Sequence, residues 1–107
     1  MNLPKVVADL VAAQNNQDSA AYTACFSETA VVHDEGKKHT GKNEIYLWIE
    51  HANKQYRSFM KPIRYEQSGS NGALTADVSG TFPGSPIVLQ FHFGFEDDLI
   101  GSLKVTG

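Results

Sequence analysis

Residues 87–95 read Ile-Val-Leu-Gln-Phe-His-Phe-Gly-Phe. In an extended chain Ile87, Leu89, Phe91, Phe93 and Phe95 share one face, and Val88, Gln90, His92 and Gly94 share the other. A period of two sustained over this length is a strand buried on one side. Working backwards, Leu74, Ala76 and Val78 alternate with Thr75, Asp77 and Ser79, which predicts a second strand. The Phe82-Pro83-Gly84-Ser85-Pro86 stretch between them is turn chemistry. Ser70-Asn71-Gly72 signals a hairpin turn and ties this strand to a third over Ile63 to Gln67. Working forwards, Glu96-Asp97-Asp98 turns the chain and Leu99 to Thr106 forms the last strand. Consecutive strands joined by short turns predict an antiparallel meander.

The first half has a different period. Leu3, Val6, Val7, Leu10 and Val11 recur at helical spacing, so roughly Leu3 to Gln14 is an amphipathic helix with Pro4 in its first turn. Asn15-Asn16-Gln17 breaks the pattern. Asp18 is an N-cap candidate for a short second helix whose stripe is Tyr22, Cys25 and Phe26. Ala30 to Asp34 is β-like, and Gly36 to Gly41 reads as a loop. Ile45, Trp48, Ile49, Ala52 and Tyr56 lie on one side of a third helix, which Pro62 follows as a break. Helices first and hairpins after predict an α+β fold, with N-terminal helices packed on a curved antiparallel sheet in one domain over residues 1–107. The helices cover the face carrying Leu74, Ala76, Val78, Leu89, Phe91 and Phe93. The opposite face, with Asp77, Ser79, Gln90 and His92, is either solvated or a polar dimer surface. A curved sheet with helices on one face leaves an apolar pocket at its open end.

Composition narrows the partners. The 107 residues are 41% hydrophobic and 20% charged, with a formal net charge of −3, which is globular composition. The nine Lys and Arg are dispersed, so the basic face of a nucleic-acid binder is missing. No stretch approaches the ~20 apolar residues of a membrane-spanning helix. Cys25 is the single cysteine, so no internal disulfide can form, and a reducing, cytoplasmic setting is expected. Its place beside Phe26 suggests a buried core thiol rather than a nucleophile.

The order of elements and several motifs resemble the SnoaL-like branch of the nuclear-transport-factor-two-like superfamily, which includes ketosteroid isomerases, scytalone dehydratase and limonene epoxide hydrolases. Phe26-Ser27-Glu28-Thr29-Ala30-Val31-Val32 fits its F-x-x-x-A-x-V lead into the first strand. Gly41-Lys42-Asn43-Glu44-Ile45 fits the G-x-x-x-I start of its third helix, and His92-Phe93-Gly94-Phe95-Glu96-Asp97 its closing hairpin. The resemblance covers nearly the whole chain. It implies a cone-shaped α+β barrel, a homodimer formed through the sheet, and a ligand pocket at the cone's mouth.

Asp34 is the most interesting acid. Alternation puts it on the same face as Val32, so it faces the cone if Val32 does. A carboxylate in an apolar mouth has a raised pKa and can act as a general base. The resemblance also sets Asp34 on the isomerase's proton-shuttling aspartate, whose mechanism is a worked case of pKa tuning. Asp34 equally suits a turn residue ahead of Gly36. By the same resemblance, Leu10, Ile49 and Phe91 stand where the isomerase has hydrogen-bond donors. Losing one such donor costs about 3 kcal/mol of transition-state stabilisation, which argues against steroid isomerisation. The Asp-Arg-Asp set of the epoxide hydrolases would need Arg64 and Asp77, and Asp77 alternates onto the wrong face.

Tyr22, Trp48, Tyr56, Phe91 and Phe93 are the candidate ligand-binding residues. They either wall the pocket or fill it as core. His33, Glu35, His39, His51 and His92 are metal-ligand types without the spacing of a site, so no metal and no cofactor is expected. The function expected is binding of a small apolar or amphipathic ligand. The alternative is a cofactor-independent cyclase, isomerase or dehydratase with Asp34 as general acid/base.

Overall fold

The computed structural model describes residues 2–107. Helix α1 spans Lys5–Asn15 and α2 spans Ser19–Ala24. Pro4 is the N-cap of α1, its carbonyl accepting from Ala8 N–H at 2.9 Å. Asp18 caps α2 by accepting the Ala21 N–H at 3.0 Å, as its position predicts. Strand β1 is Phe26–Asp34 and β2 is Lys37–Thr40, followed by α3, Gly41–Tyr56. Four strands complete the chain: β3 Phe59–Ser68, β4 Asn71–Ser79, β5 Ile87–Glu96 and β6 Leu99–Thr106.

All six strands form one sheet in the order β2-β1-β6-β5-β4-β3. The meander of β3 to β6 is antiparallel as expected. The sheet as a whole is mixed, because β1 joins β6 in parallel, Val32 opposite Leu103. The alternation within each strand carries no information on the direction of a neighbour contributed from the far end of the chain.

Other boundaries shift for physical reasons. Phe26 opens β1 instead of ending α2, and is fully buried. The expected loop contains β2, because Glu35 and Gly36 both take positive φ (+52° and +74°) and form a two-residue turn that pairs Asp34 with Lys37. Pro62 lies inside β3 rather than ending a helix. That position tolerates proline because β3 is a sheet edge and its register shifts between Pro62 and Arg64.

The predicted inner face is buried: Leu74, Ala76, Val78, Phe91 and Phe93 join Val7, Leu10, Tyr22, Ile45 and Ile49 in a single core cluster. The outer face carries Asp77 opposite Lys61, and His33 and His92 on either side of Lys104. Inside, a chain of amides bolts the helices together. Gln14 Nε2 donates to Asn53 Oδ1 (2.9 Å) and to the Ser58 carbonyl (3.0 Å). Asn53 Nδ2 donates to Ser19 Oγ (3.0 Å), which donates to Glu50 (2.9 Å). Asn15 pairs with both backbone groups of Met60, accepting from its N–H at 2.8 Å and donating to its carbonyl at 3.0 Å. It thereby occupies part of the exposed edge of β3.

Candidate functional site

Helix α3 presents two parallel stripes. Ile45, Ile49 and Asn53, four residues apart, face the core. Trp48, Ala52 and Tyr56, the adjacent stripe, line an open cleft of about 530 Å³ against the β1–β2 hairpin. From the hairpin come Asp34, Glu35, Lys37 and His39. Leu47, 67% exposed, adds an apolar wall, and Glu44 and His51 stand on the rim.

Asp34 sits at the end of β1, on the Val32 face as alternation requires. Its Oδ2 accepts a hydrogen bond from Trp48 Nε1 at 3.3 Å. The His39 ring stacks on the same indole, with centroids 5.6 Å apart and planes 28° apart. Tyr22 meets the indole edge-on at 6.1 Å. Burial holds the Asp34 carboxyl above its ordinary range, and the neighbouring Glu35 charge pushes the same way. The Trp48 hydrogen bond, the nearby His39 and the Glu35 N–H oppose the shift without cancelling it. Asp34 is thus both the residue that opens the Glu35-Gly36 turn and a half-buried acid on a cleft wall.

The predicted residues divide. Asp34, Trp48 and Tyr56 come together on this cleft. Tyr22, Phe91 and Phe93 are 2%, 7% and 2% exposed and pack in the core beneath it. Burial lifts the Tyr22 phenol above its ordinary range, with the Asp34 charge adding to it. Tyr56 packs edge-on against Phe82 at 5.9 Å. Leu10, Ile49 and Phe91 all lie in the core, so none brings a donor towards Asp34. Arg64 pairs with Glu66 at 3.4 Å on the exposed edge strand. Asp77 is on the outer face, so no Asp-Arg-Asp set surrounds Asp34. Among the described residues no three His, Cys, Asp or Glu side chains group to hold a metal ion. Cys25 is buried and its thiol is pushed up to about 11, chiefly by burial.

The sequence reading missed His39 as a cleft residue. Lys37-Lys38-His39-Thr40 has no apolar alternation to mark it as a strand. The available signal was the Glu35-Gly36 turn, which makes a two-residue hairpin and returns His39 opposite Val32.

The SnoaL-like domain profile matches residues 7–102. Among solved structures, a candidate polyketide cyclase from Sinorhizobium meliloti shares 34% identity, with a TM-score of 0.93, over 97% of this chain and 95% of that one. A protein of ketosteroid isomerase-like fold from Catenulispora acidiphila, solved with trimethylamine, shares 17% identity at a TM-score of 0.89, covering 99% and 87% of the two chains. The epoxide hydrolase/cyclase-like enzyme of pyran-ring formation in salinomycin shares 20% at 0.82, covering 94% and 86%. The two more distant likenesses speak for the fold alone. No curated protein matches the chain.

Proposed function

The chain belongs to the SnoaL-like domain family, and from that premise we propose that the Asp34 cleft binds a small apolar or amphipathic molecule and that Asp34 moves a proton on it. The carrying observation is the half-buried carboxylate held by Trp48 Nε1–H on the wall of an aromatic-lined cleft. A carboxyl held above its ordinary range by burial is a stronger base once ionised than a solvated one. The chemistry this suits is cofactor-independent: removal of a proton beside a carbonyl, opening a cyclisation of aldol type, an isomerisation or a dehydration. The likeness to a candidate polyketide cyclase at 34% identity supports the cyclisation branch.

A second reading, ligand binding without turnover, draws on a different observation. The one indole N–H near Asp34 is already spent on it, and Leu10, Ile49 and Phe91 offer no donor to a developing oxyanion. One experiment separates the two. Trp48 is the sole tryptophan, so its fluorescence reports the cleft directly. Titration with 1-acetonaphthone should quench it saturably in wild type and in Asp34→Asn. Deuterium exchange at the ketone's methyl group should be faster with wild type than with the variant. Saturable quenching with equal exchange rates leaves binding alone; no saturable quenching sinks the cleft as a ligand site.

The chain is read as a single domain that pairs as a homodimer through the polar outer face of the sheet, where Lys61 and Asp77 offer opposite charges. Sedimentation at micromolar concentration giving a monomer contradicts the dimer. Among the described residues no helix is long and apolar enough to cross a membrane. The lone unpaired thiol fits a reducing, cytoplasmic setting.

A further inference from the structure

We propose that His39 is the hydrogen-bond donor that works opposite Asp34, giving the cleft a base and a donor and not a lone carboxylate; this rests on the proton-transfer reading of the same site. His39 lies directly across from Val32, and Asp34 directly across from Lys37. On one face of an antiparallel pair this makes Asp34 and His39 diagonal neighbours, their backbones roughly 7–8 Å apart. Trp48 fixes both ends: its Nε1–H holds the carboxylate at 3.3 Å, and its face carries the imidazole at 5.6 Å. The backbone and the indole thus hold both groups before any ligand arrives. An imidazole donates as well as accepts protons, which supplies the donor that Leu10, Ile49 and Phe91 do not. Glu35 and Lys37 from the hairpin, and Glu44, His51 and Tyr56 from α3, also open on the cleft. His51 is therefore the imidazole that must be excluded.

The probe is 5-nitrobenzisoxazole, a flat ring whose elimination needs no cofactor. Asp34 takes the C3 proton, the C–H pair becomes part of the nitrile triple bond, and the N–O bond breaks. Its pair leaves on oxygen as a nitrophenolate, which accepts a hydrogen bond from the His39 imidazole N–H. Asp34 ends protonated, and solvent resets it. Wild type should show a rate that rises as Asp34 ionises. Asp34→Asn should lose roughly a hundredfold in rate. His39→Phe should lose about tenfold in kcat, since the leaving group needs modest help, and His39→Gln, whose side-chain amide can still donate, should lose less. His39→Phe, which keeps a ring against Trp48, should keep KM. His51→Gln should lose clearly less kcat than His39→Phe. An unchanged kcat in His39→Phe, or an equal loss in His51→Gln, overturns the assignment of His39 while leaving Asp34 as base. No loss in Asp34→Asn, or no elimination above an equal concentration of acetate, overturns the proton-transfer reading itself.

Discussion

At the scale of the residue, the Asp34 carboxyl binds its proton more tightly in the folded chain than in the unfolded one, because burial and Glu35 both disfavour the charge. Ionisation in the window between the two pKa values therefore lowers stability, and the loss is complete once pH has risen through the folded value. Asp34→Asn should raise the urea midpoint near pH 7, and the gap to wild type should close below the carboxylate range, at about pH 3. A midpoint lowered at neutral pH would mean the charge is better satisfied than the geometry indicates. Cys25 makes the opposite kind of prediction. Buried and with a thiol pushed up to about 11, it should resist a disulfide reagent at neutral pH until the chain is unfolded. Burst labelling of the native protein would contradict this. Alternation alone was enough to put Asp34 beside Val32. Its bond to Trp48 was not legible, because it depends on how α3 is rotated about its axis, which tertiary packing sets.

At the scale of the element, the apolar stripes of α1, β4 and β5 were readable because each is a strict period with a buried centre, although Ile87 at the start of β5 is exposed. The elements misread are those whose partners are remote or polar. β2 has no apolar pattern and exists because a tight turn folds it onto β1. Asn53 and Gln14 are polar yet buried, with Gln14 Nε2 donating to Asn53 Oδ1. Asn15 read as a break, and its side chain instead pairs with Met60 as a neighbouring strand would. Asn15→Ala should therefore cost about 1–3 kcal/mol, the range for stranding partly buried backbone groups. Urea unfolding measures it; a cost near zero would show that water replaces the amide fully.

At the scale of the whole molecule, large aromatic residues fill the core between helices and sheet, and an open cleft of about 1070 Å³ remains between α1, α2 and the turns that join β3 to β4 and β5 to β6. Phe93, 2% exposed, stacks on Phe95 at 5.8 Å within that filling. Phe93→Ala should cost about 3–5 kcal/mol by chemical denaturation. A loss under 1 kcal/mol would mean that the core collapses to fill the gap. The sequence predicted the layers and the buried face. It left open whether the large aromatic residues would wall a pocket or fill it, because residue identity fixes volume and polarity but not the distance between sheet and helices.

The parallel pairing of Val32 with Leu103 has a consequence for how the cleft comes into being. The strand that ends in Asp34 receives its central neighbour from the opposite end of the polypeptide. That contact closes a long loop and depends on non-local pairing, the slow kind. Until β6 docks, β1 rests on β2 and α3 with a row of backbone groups open on its other side. A chain cut before Leu99 would still contain Asp34, His39, Trp48 and Tyr56, yet would lack the support that keeps them in register. Any chemistry in the cleft then waits on assembly: only a chain in which β6 has docked on β1 can perform it.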